Sequence, residues 1–162
     1  MRHTRVILLA LAAFSLSACA TIRVFSEDER APALVDAAGA HLGVKAIMVD
    51  RPGRGVTVLR IEKTRWDPER GKQLCGVAEE KVIDAQSVLD ALENGVFDCQ
   101  PEAWSCADEE AVAHELGHVY GLAHTKGGLM NPKLNDDMTV TNSQTAIVNG
   151  LALALERACW EK

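Results

Sequence analysis

In His114-Glu115-Leu116-Gly117-His118-Val119-Tyr120-Gly121-Leu122-Ala123-His124, histidines recur at offsets of four and ten residues. Side chains four apart share one face of an α-helix, so His114 and His118 point at a common metal ion. Glu115 follows the first of them and projects beside the metal, within reach of a water bound there. Glycine takes φ > 0 without steric cost, so Gly121 ends the helix and turns the chain. Three residues later His124 returns as a third ligand. Three imidazoles with an open fourth position describe a catalytic site for one Zn2+ rather than a structural one. The alternative is an amphipathic core helix with two incidental histidines. It must also account for Glu115, Gly121 and His124 at these offsets, a pattern that chance produces at roughly one starting point in a few million.

Six residues beyond His124 stands Met130, in Gly127-Gly128-Leu129-Met130-Asn131-Pro132. With this addition the sequence resembles the metzincin zinc endopeptidases, in which the extended zinc motif is followed by a tight turn carrying a methionine. The resemblance implies an α+β fold with a small mixed β-sheet, an active-site helix, a Met-turn and a C-terminal helix. It implies that Met130 is a hydrophobic floor beneath the histidines, not a ligand, and that the reaction is hydrolysis of a peptide bond. Glu115 would be general base and then proton carrier to the leaving amine. The extended substrate would add to an edge strand around residues 76–80, with Gly76, Val77 and Ala78 as contacts. Asn131 and Pro132 would stand in the wall of the main specificity pocket. His114 to Thr125 is most similar to the matrixin type, with three departures. Thr125 replaces the usual serine, the loop from His124 to Met130 is shorter, and Pro132 stands where some metzincins carry a tyrosine ligand. No pro-segment is expected between Cys19 and the first strand.

Length fits one domain over 19–162, which the resemblance implies is divided into subdomains of about 20–121 and 122–162. Apolar residues make up 48% and charged residues 25%, as in globular proteins. The net charge of −6 argues against a nucleic-acid partner. Arg2 and Arg5 precede an apolar run, Val6 to Leu16, that is short for a bilayer span. The run ends in Leu16-Ser17-Ala18-Cys19, which resembles a bacterial lipoprotein signal. That resemblance implies cleavage after residue 18, a lipidated Cys19, membrane attachment through the lipid, and an envelope location, the outer membrane in a Gram-negative host because residue 20 is alanine. A plain secretory signal or an uncleaved anchor are the alternatives. Four further cysteines, Cys75, Cys99, Cys106 and Cys159, suggest two disulfides in an exported protein. Three pairings are open; a Cys99–Cys106 bridge would pin the start of the zinc helix.

Taken in order, Ala20 begins a short linker and Thr21 to Ser26 alternates as a strand. Glu27-Asp28-Glu29 suit the first turn of a helix that Gly43 ends. His41 on that helix is a packed or partly exposed residue rather than a ligand. Strands are expected over Lys45–Arg51, Val56–Lys63, Leu74–Glu79 and Lys81–Ala85, with loops at Pro52–Gly55 and Trp66–Lys72. Gln86–Asn94 reads as a helix and Phe97–Trp104 as a loop. The zinc helix is expected from Ser105, with Asp108 completing a partial capping box. Tyr120 should pack away from the metal. Lys133–Asp137 is a polar loop, and Thr141-Asn142-Ser143-Gln144 caps an amphipathic terminal helix.

The expected function is that of a lipid-anchored, monomeric zinc endopeptidase acting on peptides or proteins. A zinc-bound envelope lipoprotein that binds peptides without cleaving them is the first alternative, and a structural lipoprotein with incidental histidines the second.

Overall fold

The computed structural model describes residues 20–69, 71–78, 99–133 and 137–160. The apolar run, Cys19, the expected strand at 81–85 and the expected helix at 86–94 lie outside them. Among the described residues the chain is mixed α+β. In chain order the elements are β1 (Thr21–Phe25), α1 (Ala31–Leu42), β2 (Lys45–Met48), β3 (Thr57–Ile61), β4 (Arg65–Asp67), β5 (Lys72–Leu74), β6 (Gly76–Ala78), β7 (Glu102–Ser105), α2 (Glu109–Val119) and α3 (Asn142–Trp160).

Five strands form one sheet in the order β2-β1-β3-β7-β6. β1 pairs in parallel with β2 and β3, and β3 in parallel with β7. Only β6 runs antiparallel, with Gly76 opposite Ser105 and Ala78 opposite Ala103. A strand places alternate residues on one face, so Ile22 and Val24 of β1, Leu59 of β3 and Ala103 of β7 contribute to one core. Helix α1 adds Val35, Ala38 and Leu42, α2 adds Val112, Ala113 and Leu116, and α3 adds Val148, Leu151 and Leu155. Helices α1 and α2 pack on each other, and α2 also lies against β6 and β7. The helix that carries His114 and His118 is therefore the one nearest the antiparallel edge.

Several expectations from sequence are corrected. Ala20 is no linker: it is 1% exposed, and its N–H donates to Asn149 Oδ1 at 3.2 Å. Glu27 to Glu29 precede α1 rather than opening it. Pro32 stands in the first turn, where its missing N–H costs nothing. Asp28 instead accepts from the backbone and guanidinium of Arg30. Strands β2 and β3 are shorter than expected. The two ends of the loop expected at 66–72 are strands: β4 and β5 form an antiparallel hairpin, with Trp66 opposite Gln73. Its Arg65 guanidinium stacks 4.6 Å from the Trp104 ring centroid. Residues 102–105 are a strand, not the end of a loop. Ladder bonds from both neighbours outweigh the turn chemistry of Cys99 and Pro101. Ser105 is buried in β7, and α2 begins instead at Asp108, whose Oδ1 accepts the Ala111 N–H at 2.9 Å.

Two disulfides are present as expected, joining Cys75 to Cys106 and Cys99 to Cys159. The Cys99–Cys106 bridge is thus overturned, because β7 carries the two ends of that segment apart and sets each against a different partner. Disulfides persist in oxidising compartments, which points to an exported protein. No helix of the described residues is long and apolar enough to cross a membrane.

Candidate metal centre

Helix α2 is started by Asp108 and favoured by Glu109 and Glu110 at its positive end. Glu109 also accepts from His41 at 2.7 Å, which ties α2 to α1 and leaves His41 far from any ligand role. The helix buries Val112 and Leu116 and turns His114 and His118 to its other side. It stops where the sequence placed the stop. Gly121 has φ +89°, its N–H donates to His118 O at 3.0 Å, and Leu122 N–H donates to Gly117 O at 2.9 Å. A Cβ at position 121 would also strike Leu151 of α3. The reversal brings His124 back over the helix.

The three imidazoles converge. His118 Nε2 lies 3.0 Å from His114 Nε2 and 3.0 Å from His124 Nε2, and His114 and His124 are 3.3 Å apart. The opposite nitrogens explain why these atoms meet. His114 Nδ1 faces the carbonyl of Leu129 at 2.7 Å, and His118 Nδ1 faces that of Leu122 at 2.8 Å. A carbonyl only accepts, so each Nδ1 carries the proton and each Nε2 presents a bare lone pair. The bare His114 and His118 acceptors, 3.0 Å apart, repel each other, and a cation between the imidazoles resolves the repulsion. Ligands ~2.05 Å from one tetrahedral ion stand ~3.3 Å apart, close to the spacing found. The donor set therefore fits a metal ion, and three imidazoles suit zinc among several divalent metals. His114 is buried, His118 half-buried and His124 exposed, so the site opens on the His124 side. Burial, with the two neighbouring histidines adding to it, pushes the His114 imidazole down to about 4. It is neutral, as a ligand must be, at any ordinary pH.

Met130 is fully buried under α2, with its sulfur close beneath Gly117. The turn that carries it is closed by Asn131 N–H to Gly128 O at 3.1 Å, and Thr125 N–H donates to Met130 O at 2.9 Å. The same turn supplies the Leu129 carbonyl that orients His114. Asp137, read from sequence as part of a polar loop, anchors it. Its carboxylate accepts from Gly128 N–H at 3.0 Å and from the Thr139 hydroxyl at 2.7 Å. Those bonds hold its carboxyl below the usual carboxylate range. An aspartate two residues before a threonine is the available sequence signal for such a local turn.

Glu115 is 7% exposed, on the side of α2 that meets the sheet edge. A Cβ built on Gly76 would stand 2.6 Å from Glu115 Cγ and would strike the carboxylate. β6 thus lies directly on the glutamate and is one of the two edge strands of the sheet among the described residues. Val77 and Ala78 follow in the same strand. Asn131 and Pro132 lie just past the Met-turn. Asn131 serves the loop itself, donating to Lys126 O and accepting from Lys133 N–H, and Pro132 is exposed. Tyr120 points away from the histidines, into a buried hydrogen bond with Thr57.

No protein-family model matches the chain, and no curated protein is similar to it.

Proposed function

We propose that this chain is a zinc-dependent endopeptidase of metzincin type, attached to the bacterial envelope through a lipidated Cys19. The observation that carries the proposal is the convergence of three Nε2 atoms, with the residue after the first of them a glutamate buried under a strand at the sheet edge of the described residues. His114, His118 and His124 would hold the metal. Zinc, when bound, supplies Lewis acidity toward a carbonyl oxygen and toward water. Glu115 takes the proton of the attacking water and hands it to the departing amine nitrogen. β6, at an edge of the sheet among the described residues, pairs with the substrate backbone. The Leu129 and Leu122 carbonyls keep two ligands in the tautomer and orientation that binding needs. The strand and helix order and the Met-turn support the metzincin reading. The disulfides support export, and the sequence around Cys19 supports lipid attachment.

The test uses the whole chain in detergent, loaded with zinc, and a proteome-derived peptide mixture read by mass spectrometry beside Glu115→Ala. New termini from the parent and none from the variant are expected. One zinc per chain with no cleavage by either protein would move the reading to peptide binding without hydrolysis. Mass analysis of the N-terminal peptide should find an acylated Cys19; an unmodified cysteine there would remove the anchor.

A further inference from the structure

The strand that covers Glu115 and the helix that carries it are joined covalently just before each begins. Cys75 immediately precedes β6, and Cys106 stands two residues before the cap of α2. The two form a disulfide with Cα atoms 5.0 Å apart, and Cys106 N–H donates to Cys75 O at 2.5 Å. One residue further along, Gly76 pairs with Ser105, and its missing side chain is what allows the strand to rest on the Glu115 carboxylate. Among the described residues β6 has three residues and lies at the sheet edge, where a short strand is weakly held by its ladder alone. The bridge fixes its first residue relative to the first turn of α2, and α2 then carries Glu115 to a set distance.

We propose that the Cys75–Cys106 bridge is a clamp that seats β6 on Glu115, and that Gly76 is a positioning residue for that carboxylate. The catalytic meaning of the clamp rests on the endopeptidase reading; its packing does not. β6 packs directly against the Glu115 side chain, so a shift of the strand shifts the carboxylate. Release of the strand, or a methyl group at position 76, moves the carboxylate without touching any histidine. Misplacement by about an ångström is enough to lose on the order of a hundred-fold in rate.

The experiment is a double-mutant cycle of Gly76→Ala and Glu115→Asp in the zinc-loaded whole chain, read both in kcat and KM and in unfolding by urea. Gly76→Ala is expected to keep one zinc per chain and to lower kcat by about a hundred-fold, with a much smaller change in KM. In the Gly76→Ala background, Glu115→Asp should cost at least about ten-fold less than in the parent, because the shorter carboxylate escapes the added methyl. The same coupling should appear in the urea midpoints, a readout that needs no catalysis. Cys75→Ala with Cys106→Ala should keep zinc, lower kcat, and speed hydrogen exchange at the Val77 and Ala78 amides. Cys99→Ala with Cys159→Ala should leave kcat near the parent value. Failure of the parent to cleave, with coupling still present in the midpoints, would sink the endopeptidase reading and leave the packing of Gly76 on Glu115 intact. Cleavage by the parent with additive effects at 76 and 115 in both readouts would overturn the clamp. Should the Cys75/Cys106 variant not fold, the Gly76 cycle decides alone.

Discussion

Gly117 and Met130 are in such close contact that a Cβ at position 117 would stand 2.6 Å from the Met130 sulfur. Helix α2 and the Met-turn are thus packed backbone to thioether. Two effects oppose each other at Gly117. Alanine is the better helix former by ~1 kcal/mol, but overpacking a filled core costs ~1–3 kcal/mol. Packing should win, since the neighbour is a fully buried side chain in a turn held by Asp137. Gly117→Ala is expected to lower stability by about 1–2 kcal/mol and to weaken zinc binding. Met130→Leu, which conserves volume, should cost under about 1.5 kcal/mol and keep the metal. Urea unfolding and zinc titration check both; a stabilised Gly117→Ala would contradict the contact.

Metal binding should be read directly in stability. A metal that binds only the folded chain stabilises it by ~2.7 kcal/mol at a hundred times Kd. Zinc should therefore raise Tm of the parent in a concentration-dependent way. His114→Ala, His118→Ala and His124→Ala should each abolish most of that rise, whereas His41→Ala should not, since His41 pairs with Glu109 instead. Retention of the full zinc-dependent shift by any one of the three ligand variants would remove that histidine from the site.

The metal-free protein should lose stability in acid because of His114. Its folded value is depressed from 6.5 to about 4 by burial. The neutral form is favoured in the fold, so this contribution is complete above pH 6.5 and is lost as pH falls through about 4. A shift of this size corresponds to roughly 3 kcal/mol. Zinc, which competes with protons for the same nitrogens, should be released over the same interval. Urea midpoints of metal-free parent and His114→Asn between pH 7 and 4 provide the check: the parent should fall more steeply. Parallel curves would show that His114 is not held neutral by its surroundings.

The metal-site ligands were legible because everything that builds them is local. Four residues of helix, one glycine at φ +89° and a return of three residues bring all three imidazoles together, and the Leu129 carbonyl that orients His114 lies just beyond the motif. What escaped was set by partners far along the chain. β7 has only Ala103, Trp104 and Ser105 to show, beside a proline and two cysteines, and its strand character comes from β3 on one side and β6 on the other. Ser105 and Asp108 both look like caps, and burial of Ser105 in that strand is what hands the role to Asp108. Disulfide pairing follows from the same strand placement and leaves no trace in spacing. The contact of Gly76 with Glu115 joins residues 39 apart in sequence, so no pattern in either segment announces it.

Tyr120 and Thr57 share a buried hydrogen bond at 2.9 Å, and burial pushes the phenol up to about 12. Loss of one partner strands the other in a dry site at a cost of ~1–3 kcal/mol, while replacing both is much cheaper. Tyr120→Phe and Thr57→Val should each lower stability by about 1–2 kcal/mol, and the double variant should recover most of one of those losses. Zinc affinity should not change, because Tyr120 points away from the histidines. Additive losses, or a weakened metal, would show that Tyr120 serves the site.

The two disulfides should separate stability from function. Cys99–Cys159 closes 60 residues and Cys75–Cys106 closes 31. Loop-closure entropy grows only with the logarithm of length, so the two should differ by about 0.6 kcal/mol, each contributing roughly 4 kcal/mol. Cys99–Cys159 ties the loop before β7 to the end of α3, and Arg54 contacts both of its cysteines from the turn before β3. Urea unfolding should accordingly show similar losses for the two paired-cysteine variants. Peptide cleavage should distinguish them, with only the Cys75/Cys106 variant losing turnover while holding zinc. Equal loss of turnover from both would mean that the bridges act through general stability, and Gly76 would then have to account for the placement of Glu115 unaided.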